Sequence, residues 1–161
     1  TNLSTSMMLE SIANEIIRTR IGEANVVQKM NELNIPIGGE GNGGVILEEV
    51  HLGRDSLVAI SMILSLLSSS GKSISDEISN IPQYIMIKDK IRVDDKIDFD
   101  SLETIFDCNE INKIDGIKFI WLNKWIHIRK SNTEPIIRIF AEAKTQEEVD
   151  ELINTLKNYL K

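Results

Sequence analysis

Residues 117–142 read IKFIWLNKWIHIRKSNTEPIIRIFAE, and this stretch decides the fold of the second half of the chain. Three of its segments are rich in Ile, Phe and Trp, which favour β-strands. The first two segments are separated only by Asn123-Lys124, which predicts a hairpin turn. The second and third are separated by the polar residues 129–135, which predict a loop. The stretch therefore predicts strands at residues 117–122, 125–128 and 136–142.

The residues on either side of this stretch predict one more strand and two helices. Residues 83–93 resemble a long strand, and Pro82 before them marks a boundary. Asp100 with Glu103 predicts a capped helix to about residue 107. Thr145 with Glu148 caps a final helix whose apolar face carries Val149, Leu152, Ile153, Leu156 and Leu160. The order β-α-β-β-β-α predicts an α+β domain over residues 82–161, an antiparallel sheet backed by helices.

The first half of the chain, residues 1–81, alternates short strands with helices and predicts an α/β domain with a mixed sheet. The strongest helix signal follows Asp55, where five apolar residues recur at helical spacing and Gly71 supplies the stop. Those residues are Leu57, Ile60, Ile63, Leu64 and Leu67. Other segments predict strands at residues 16–21, 35–37 and 45–47, a helix start at residues 7–13, a helix at 24–33, and a short helix capped by Ser73 and Asp76.

The composition excludes several classes of protein. The chain has 161 residues with a net charge of −7, which argues against a nucleic-acid-binding surface that depends on positive charge. Its longest apolar stretches are far shorter than a membrane-spanning helix requires, so no membrane association is expected. The single cysteine, Cys108, cannot form an internal disulfide and is expected to be inert. These features favour a cytoplasmic location.

The segment around the loop at residues 129–135 has the composition of a phosphate site. It carries Lys124, Arg129, Lys130 and Arg138 against Glu134 alone, a local excess of positive charge in an acidic chain. Guanidinium groups bind phosphate oxygens in pairs, and hydroxyls and turn amides supply further donors. An ordinary solvated loop between strands is the alternative.

A second candidate is residues 38–44, GGEGNGG, which we interpret as a loop. Its two non-glycine residues, Glu40 and Asn42, can hydrogen-bond sugar hydroxyls, since a carboxylate accepts and an amide both donates and accepts. A dinucleotide site is disfavoured because no G-x-G-x-x-G precedes a helix here. A plain flexible hairpin remains the alternative.

Together these segments resemble the α-D-phosphohexomutases, the family of phosphoglucomutase, phosphomannomutase and phosphoglucosamine mutase. The resemblance covers essentially the whole chain and is carried by residues 4–6, 20–23, 38–46, 51–55, 71–75 and 129–138. It implies most of the third domain followed by the complete fourth domain of a four-domain enzyme. The phosphoserine of the first domain and the Mg²⁺-binding aspartate loop of the second have no counterpart here. No catalytic residue and no metal ligand is therefore expected on this chain, which alone should be inactive.

The resemblance also implies roles for individual residues. Glu40 and Asn42 match the sugar-binding positions, and Arg20, His51 and Arg54 are possible supporting contacts. Gly44 stands where many members have histidine, so one of the family's sugar or phosphate contacts is in doubt. The phosphate-binding positions match Arg129, Ser131, Asn132, Thr133 and Arg138.

The implied activity is that of an intramolecular phosphotransferase, with a phosphosugar as substrate. It interconverts hexose 1-phosphate and hexose 6-phosphate through a phosphoserine and a hexose 1,6-bisphosphate, with Mg²⁺ and the N-terminal domains outside this chain. A non-catalytic, truncated sugar-phosphate-binding module is the alternative. The sequence does not distinguish glucose, mannose and glucosamine, nor does it give the oligomeric state.

Two features outside these loops have simpler interpretations. His127 alternates with Trp125 and Arg129 along one strand face and is expected to have a structural or surface role. The acidic run Asp94, Asp95, Asp98 and Asp100 lacks the spacing of a calcium-binding loop and is expected to be a solvated turn with a helix cap.

Overall fold

The computed structural model describes residues 1–92, 99, 101–131 and 134–160. The chain divides into two compact units, Thr1–Pro82 and Gln83–Lys161, here called unit 1 and unit 2. Unit 1 combines helices with a small sheet, and unit 2 packs helix against an antiparallel sheet, so the predicted fold class is confirmed. No helix within the described ranges is long and apolar enough to cross a membrane.

Unit 1 is built around helix α1 (Glu23–Leu33) and a two-stranded antiparallel hairpin of β1 (Ile37–Glu40) and β2 (Gly44–Leu47). Val26 and Met30 of α1 pack with Ile46 of β2 in a small buried cluster. Helix α2 (Ser56–Ser70) begins at Asp55, whose carboxylate accepts from the first backbone amides, and ends at Gly71 as predicted. The remaining elements are a 3₁₀ turn at Met7–Ser11 and helix α3 (Ile74–Ser79), which has the predicted capping box.

Two predictions for unit 1 were wrong. Residues 38–44 are not one loop, because Gly38 to Glu40 belong to β1 and only residues 41–43 form the turn. A Cβ on Gly39 would lie 2.6 Å from the Gly44 carbonyl oxygen, so this glycine permits close strand pairing rather than a turn. Residues 16–21 form no strand, and a single parallel bridge joins Thr19 to Asn2.

Unit 2 contains a five-stranded antiparallel sheet, whose strands are β3 (Ile85–Arg92), β4 (Glu110–Asn112), β5 (Ile117–Ile120), β6 (Trp125–Lys130) and β7 (Ile136–Ala143). Their order in the sheet is β3-β7-β6-β5-β4. Helix α4 (Gln146–Tyr159) begins at the predicted capping box of Thr145 and Glu148 and packs on the inner face of the sheet. The apolar core lies between them and includes Phe119, Ile126, Ile139 and Leu152.

Unit 2 also departs from the predicted order of elements. The predicted helix after Asp100 is a short 3₁₀ turn at Ser101–Thr104, and β4 is an additional edge strand. β4 has only three residues, too few for an alternating pattern to be recognised. The acidic positions Asp94, Asp95, Asp98 and Asp100 lie outside the described residues.

The outer face of this sheet, opposite α4, is the face that carries charge. The register places Arg138 of β7 directly opposite Lys90 of β3 on one side and Arg129 of β6 on the other. Because side chains on directly paired residues share a face, three cations lie in one row across three strands. Arg129 and Arg138 of this row lie near the end of β6, which precedes Ser131, and the start of β7, which follows Pro135.

Candidate functional site

In unit 1, Glu40 is the centre of a hydrogen-bond network at the end of β1. Its side chain is only 5% exposed. Oε1 accepts from the Asn2 side-chain amide at 2.9 Å and from the Gly22 backbone N–H at 3.0 Å. Oε2 lies 3.5 Å from Nη1 of Arg54. The carboxylate therefore joins the residue 1–6 segment, the start of α1 and the segment before α2.

Arg54 lies across the hairpin and is fixed by a second carboxylate. Its backbone N–H and its Nε each donate to Glu23, both at 2.9 Å. The hydrogen bonds from the Arg54 backbone first, and then from its side chain, lower the pKa of Glu23. A Cβ on Gly44 would lie 2.2 Å from Cδ of Arg54. The arginine stem thus occupies the space where a side chain at position 44 would begin.

The other predicted sugar-site residues lie around this network. Asn42 is exposed in the hairpin turn, and its Oδ1 accepts from the Gly44 backbone N–H at 3.1 Å. His51 pairs with Asp55, with 3.0 Å between Nε2 and Oδ2. This hydrogen bond is the main cause that lowers the pKa of Asp55, and the helix-capping amides of Val58 and Leu57 add to it. Arg20 is exposed on the segment before α1.

A cavity of about 450 Å³ lies beside the hairpin in unit 1. Glu40, Gly43 and Gly44 border it, but most of its lining is apolar and includes Leu9, Ile16, Val26 and Met30. An apolar lining offers few partners for sugar hydroxyls. The polar groups suited to a sugar are therefore those at the hairpin turn, not those deep in the cavity.

In unit 2, Arg129 and Arg138 are paired across β6 and β7 at the base of the predicted phosphate loop. Asp115 lies 3.7 Å from Arg129, and Glu134 lies 3.5 Å from Arg138. Nε of Arg129 is buried and has no hydrogen-bond partner within the described ranges. The Ser131 backbone N–H donates to the Ile136 carbonyl at 3.0 Å, closing the loop between the strands. The predicted ligands Asn132 and Thr133 lie outside the described residues.

His127 is not part of this cationic row, although it lies on the same sheet face. It is completely buried, and Nε2 hydrogen-bonds the Asp115 carbonyl oxygen. Burial is the main cause that lowers the pKa of His127 to about 4. A neutral imidazole held against a backbone carbonyl is a packing element, which agrees with the structural role that the sequence predicts.

Several residues that hold the candidate sites together have no role in the sequence-based prediction. Asn2 and Glu23 position Glu40 and Arg54 from 38 and 31 residues away in the chain, and no local pattern indicates such contacts. For Lys90 and Arg92, in contrast, the sequence does contain a local signal. With Lys88 they form an alternating basic pattern, and a period of two places all three on one strand face.

The geometry can be compared with proteins of known family. Residues 1–84 match the family described as phosphoglucomutase/phosphomannomutase, alpha/beta/alpha domain III, and residues 90–158 match phosphoglucomutase/phosphomannomutase, C-terminal domain. Similar relatives include a phosphoglucomutase/phosphomannomutase of Thermococcus kodakarensis, 37% identical over 95% of this chain and 35% of the relative. A phosphoglucosamine mutase of Methanococcus maripaludis is 31% identical over 96% of this chain and 37% of the relative.

Solved structures show the same fold at lower identity. A crystal structure described as a putative phosphomannomutase from Thermus thermophilus covers 98% of this chain at 19% identity, with a TM-score of 0.73. This chain spans 35% of that structure and a similar share of the curated relatives named above, so it corresponds to about a third of their length.

Proposed function

Because the chain belongs to the phosphoglucomutase/phosphomannomutase family, we propose that it is the sugar- and phosphate-binding C-terminal part of a phosphohexomutase. The complete enzyme interconverts hexose 1-phosphate and hexose 6-phosphate through a phosphoserine and a hexose 1,6-bisphosphate. The names of the similar relatives support mutase chemistry, and their length leaves room for the catalytic serine outside this chain.

The Arg129–Arg138 pair carries this proposal. Two arginines are directly paired on adjacent strands at the base of one loop, and the buried Nε of Arg129 has no hydrogen-bond partner among the described residues. A phosphate dianion placed there would accept from both guanidinium groups and offset their mutual repulsion. Ser131 follows β6 directly, and Asn132 and Thr133, which lie outside the described residues, are proposed as further ligands on the basis of the family resemblance.

The hairpin of unit 1 is the proposed sugar-binding part. Glu40 and Asn42 offer a carboxylate and an amide to adjacent sugar hydroxyls, and Arg54 holds the carboxylate from the opposite side. A mutase must bind its substrate in two opposite orientations. Contacts to one phosphate and to ring hydroxyls that both orientations present satisfy that requirement. His51 and Arg20 are proposed as supporting residues only.

The described residues contain no group of three histidine, cysteine, aspartate or glutamate side chains that could hold a metal ion. No step of the proposed chemistry is assigned to a metal ion held by these described residues. We propose that magnesium, like the phosphoserine, belongs to the remainder of the enzyme. This chain then supplies binding and orientation, and not the transferred phosphoryl group.

Phosphate binding tests the proposal in the isolated chain. We expect inorganic phosphate to bind with millimolar affinity, about −4 kcal/mol, because only part of the complete site is present. Arg129→Lys or Arg138→Lys keeps the charge but loses the planar fork, and should weaken binding by about 1–2 kcal/mol. The measurement is a phosphate titration followed by backbone amide shifts.

The matched control is Lys144→Gln, which removes an exposed charge just beyond the opposite end of β7 and should leave binding unchanged. Shifts centred on residues 129–131 and 134–138 support the assignment. Shifts centred on residues 38–44, with none near the Arg129–Arg138 pair, would contradict it.

An activity assay separates this function from the alternative, a non-catalytic sugar-phosphate-binding module. The purified 161-residue chain is expected to show no turnover of glucose, mannose or glucosamine 1-phosphate. The intact protein is expected to convert at least one of them. Turnover by the chain alone would refute the proposal that the transferred phosphoryl group comes from the remainder of the enzyme. The gene context and the mass of the intact protein would identify a naturally truncated module.

A further inference from the structure

The row of cations on the outer face of the unit 2 sheet extends to β3, a strand that the phosphate site proposed above does not include. Lys90 of β3 is paired directly with Arg138, and Arg92 is paired with Ile136 at the start of β7. Both side chains are exposed. β3 therefore presents two cations beside the strand that carries Arg138, although it is far from the loop in sequence.

This arrangement is electrostatically unfavourable without a counter-ion. Like charges directly opposite each other on paired strands destabilise a sheet. Arg129 and Arg138 are partly offset by Asp115 and Glu134. In contrast, within the part of the chain that the structure describes, no carboxylate oxygen lies within 4.0 Å of the charged groups of Lys90 or Arg92. The chain is acidic overall, so this accumulation does not follow from its composition.

A cavity of about 340 Å³ opens between these cations and the loop. Its lining consists of Lys90, Arg92, Glu134, Pro135 and Ile136. The volume is within the range of small-ligand sites. Two lining residues are cationic and one, Glu134, is anionic and lies 3.5 Å from Arg138, so the lining carries a net positive charge. Such a site suits a compact anion better than a neutral sugar.

We propose that Lys90 and Arg92 are further ligands of the phosphate group bound at the Arg129–Arg138 pair, so that the phosphate site spans β3, β7 and β6. This inference rests on the proposed function and adds to it two residues from a third strand. The ligand class is a phosphate dianion, either inorganic phosphate or the phosphate group of a phosphosugar. Long side chains on three adjacent strands can converge on one phosphate, since neighbouring strands lie about 4.8 Å apart.

The test is a titration of the 161-residue chain with inorganic phosphate, followed by amide shifts at constant ionic strength set with sodium chloride. Lys90→Gln and Arg92→Gln are each expected to raise the dissociation constant about three- to tenfold, because each removes one charge-assisted donor. Lys90→Arg, which keeps a cation in place, is expected to bind phosphate at least as tightly as the unchanged chain.

The matched control is Lys88→Gln. Lys88 lies on the same strand and the same face, but its Nζ lies over the Phe140 ring, 5.9 Å from the centroid, and outside the lining of the cavity. Its loss should change the dissociation constant less than about twofold, through a screened long-range effect alone. Equal effects at positions 88 and 90 would show a general charge effect and overturn the proposal.

Titrating the same variants with glucose 1-phosphate and glucose distinguishes the source of the phosphate group. Weakening with the phosphosugar and with inorganic phosphate, and no binding of glucose at this surface, supports the proposal. If Arg138→Lys weakens binding while Lys90→Gln and Arg92→Gln do not, the third strand has no role and the proposed function stands. If the unchanged chain shows no shifts on β6 and β7, both proposals fail.

Discussion

Replacing Glu40 with alanine should lower the free energy of unfolding of unit 1 by about 2 kcal/mol or more. The carboxylate accepts from the Asn2 amide and the Gly22 backbone N–H, and it lies beside the Arg54 guanidinium. Alanine leaves these donors without their acceptor in a buried location. Hydrogen exchange of the amides in α1 and β2 measures the loss within unit 1 itself.

Glu49→Ala is the control, because Glu49 is exposed just beyond the hairpin. An exposed substitution of this kind should change stability by less than about 0.5 kcal/mol. Equal losses for Glu40→Ala and Glu49→Ala would show that the network around Glu40 contributes nothing.

Glu40→Gln separates the structural role of this residue in the hydrogen-bond network from its proposed contact with the sugar. Glutamine keeps one acceptor oxygen for Asn2 and Gly22 but loses the charge near Arg54. In the intact enzyme, we expect kcat/KM to fall about tenfold or more, because a hydrogen bond to a charged acceptor is lost. A fall in kcat/KM with little loss of stability indicates a sugar ligand. An unchanged kcat/KM would leave Glu40 as a structural residue only.

Lowering the pH should destabilise unit 2 through His127 before most carboxylates titrate. The pKa of His127 is lowered from 6.5 to about 4 in the folded protein, mainly by burial. Below pH 6.5 the unfolded chain therefore binds a proton that the folded protein excludes. The contribution of neutral His127 to the free energy of unfolding is therefore fully present above pH 6.5. It is lost progressively as the pH falls towards 4. The expected loss between about pH 7 and about pH 5 is about 2 kcal/mol.

Tryptophan fluorescence reports this loss cleanly, because Trp121 and Trp125 are the only tryptophans and both belong to unit 2. Urea unfolding of the unchanged chain and of His127→Gln should be compared at each pH. The variant is expected to be less stable at neutral pH and to lack most of the slope between about pH 7 and about pH 5. A constant difference between the two proteins over this range would show that His127 does not titrate as the structure indicates.

Local rules predicted much of the fold from particular residues. The capping boxes at Ser73 and Thr145 mark the starts of two helices, and Gly71 marks the end of another. The Asn123-Lys124 turn lies between β5 and β6 as expected. These signals work because caps, turns and amphipathic faces are encoded within a few neighbouring residues.

The candidate site was harder to predict from the sequence, because its geometry depends on contacts between residues far apart in the chain. The composition indicates Glu40 as a polar residue among glycines. Its buried carboxylate, however, accepts hydrogen bonds from Asn2 and Gly22, which lie far away in the chain. Likewise, the pairing of Lys90 with Arg138 depends on β3 joining β7 instead of its neighbour in sequence. The binding roles of all the predicted site residues remain predictions: Arg20, Glu40, Asn42, His51, Arg54, Arg129, Ser131, Asn132, Thr133 and Arg138.

The position of the Arg54 stem over Gly44 couples these two residues during evolution. A side chain at position 44 would begin 2.2 Å from Arg54 Cδ, while Glu23 holds the same arginine by its backbone and by Nε. A larger residue at 44 therefore requires the Arg54 side chain to shift, which disturbs its hydrogen bonds to Glu23. The two positions are therefore expected to be coupled: the cost of a side chain at position 44 depends on the residue at position 54, and a change at 54 also removes contacts to Glu23 and Glu40.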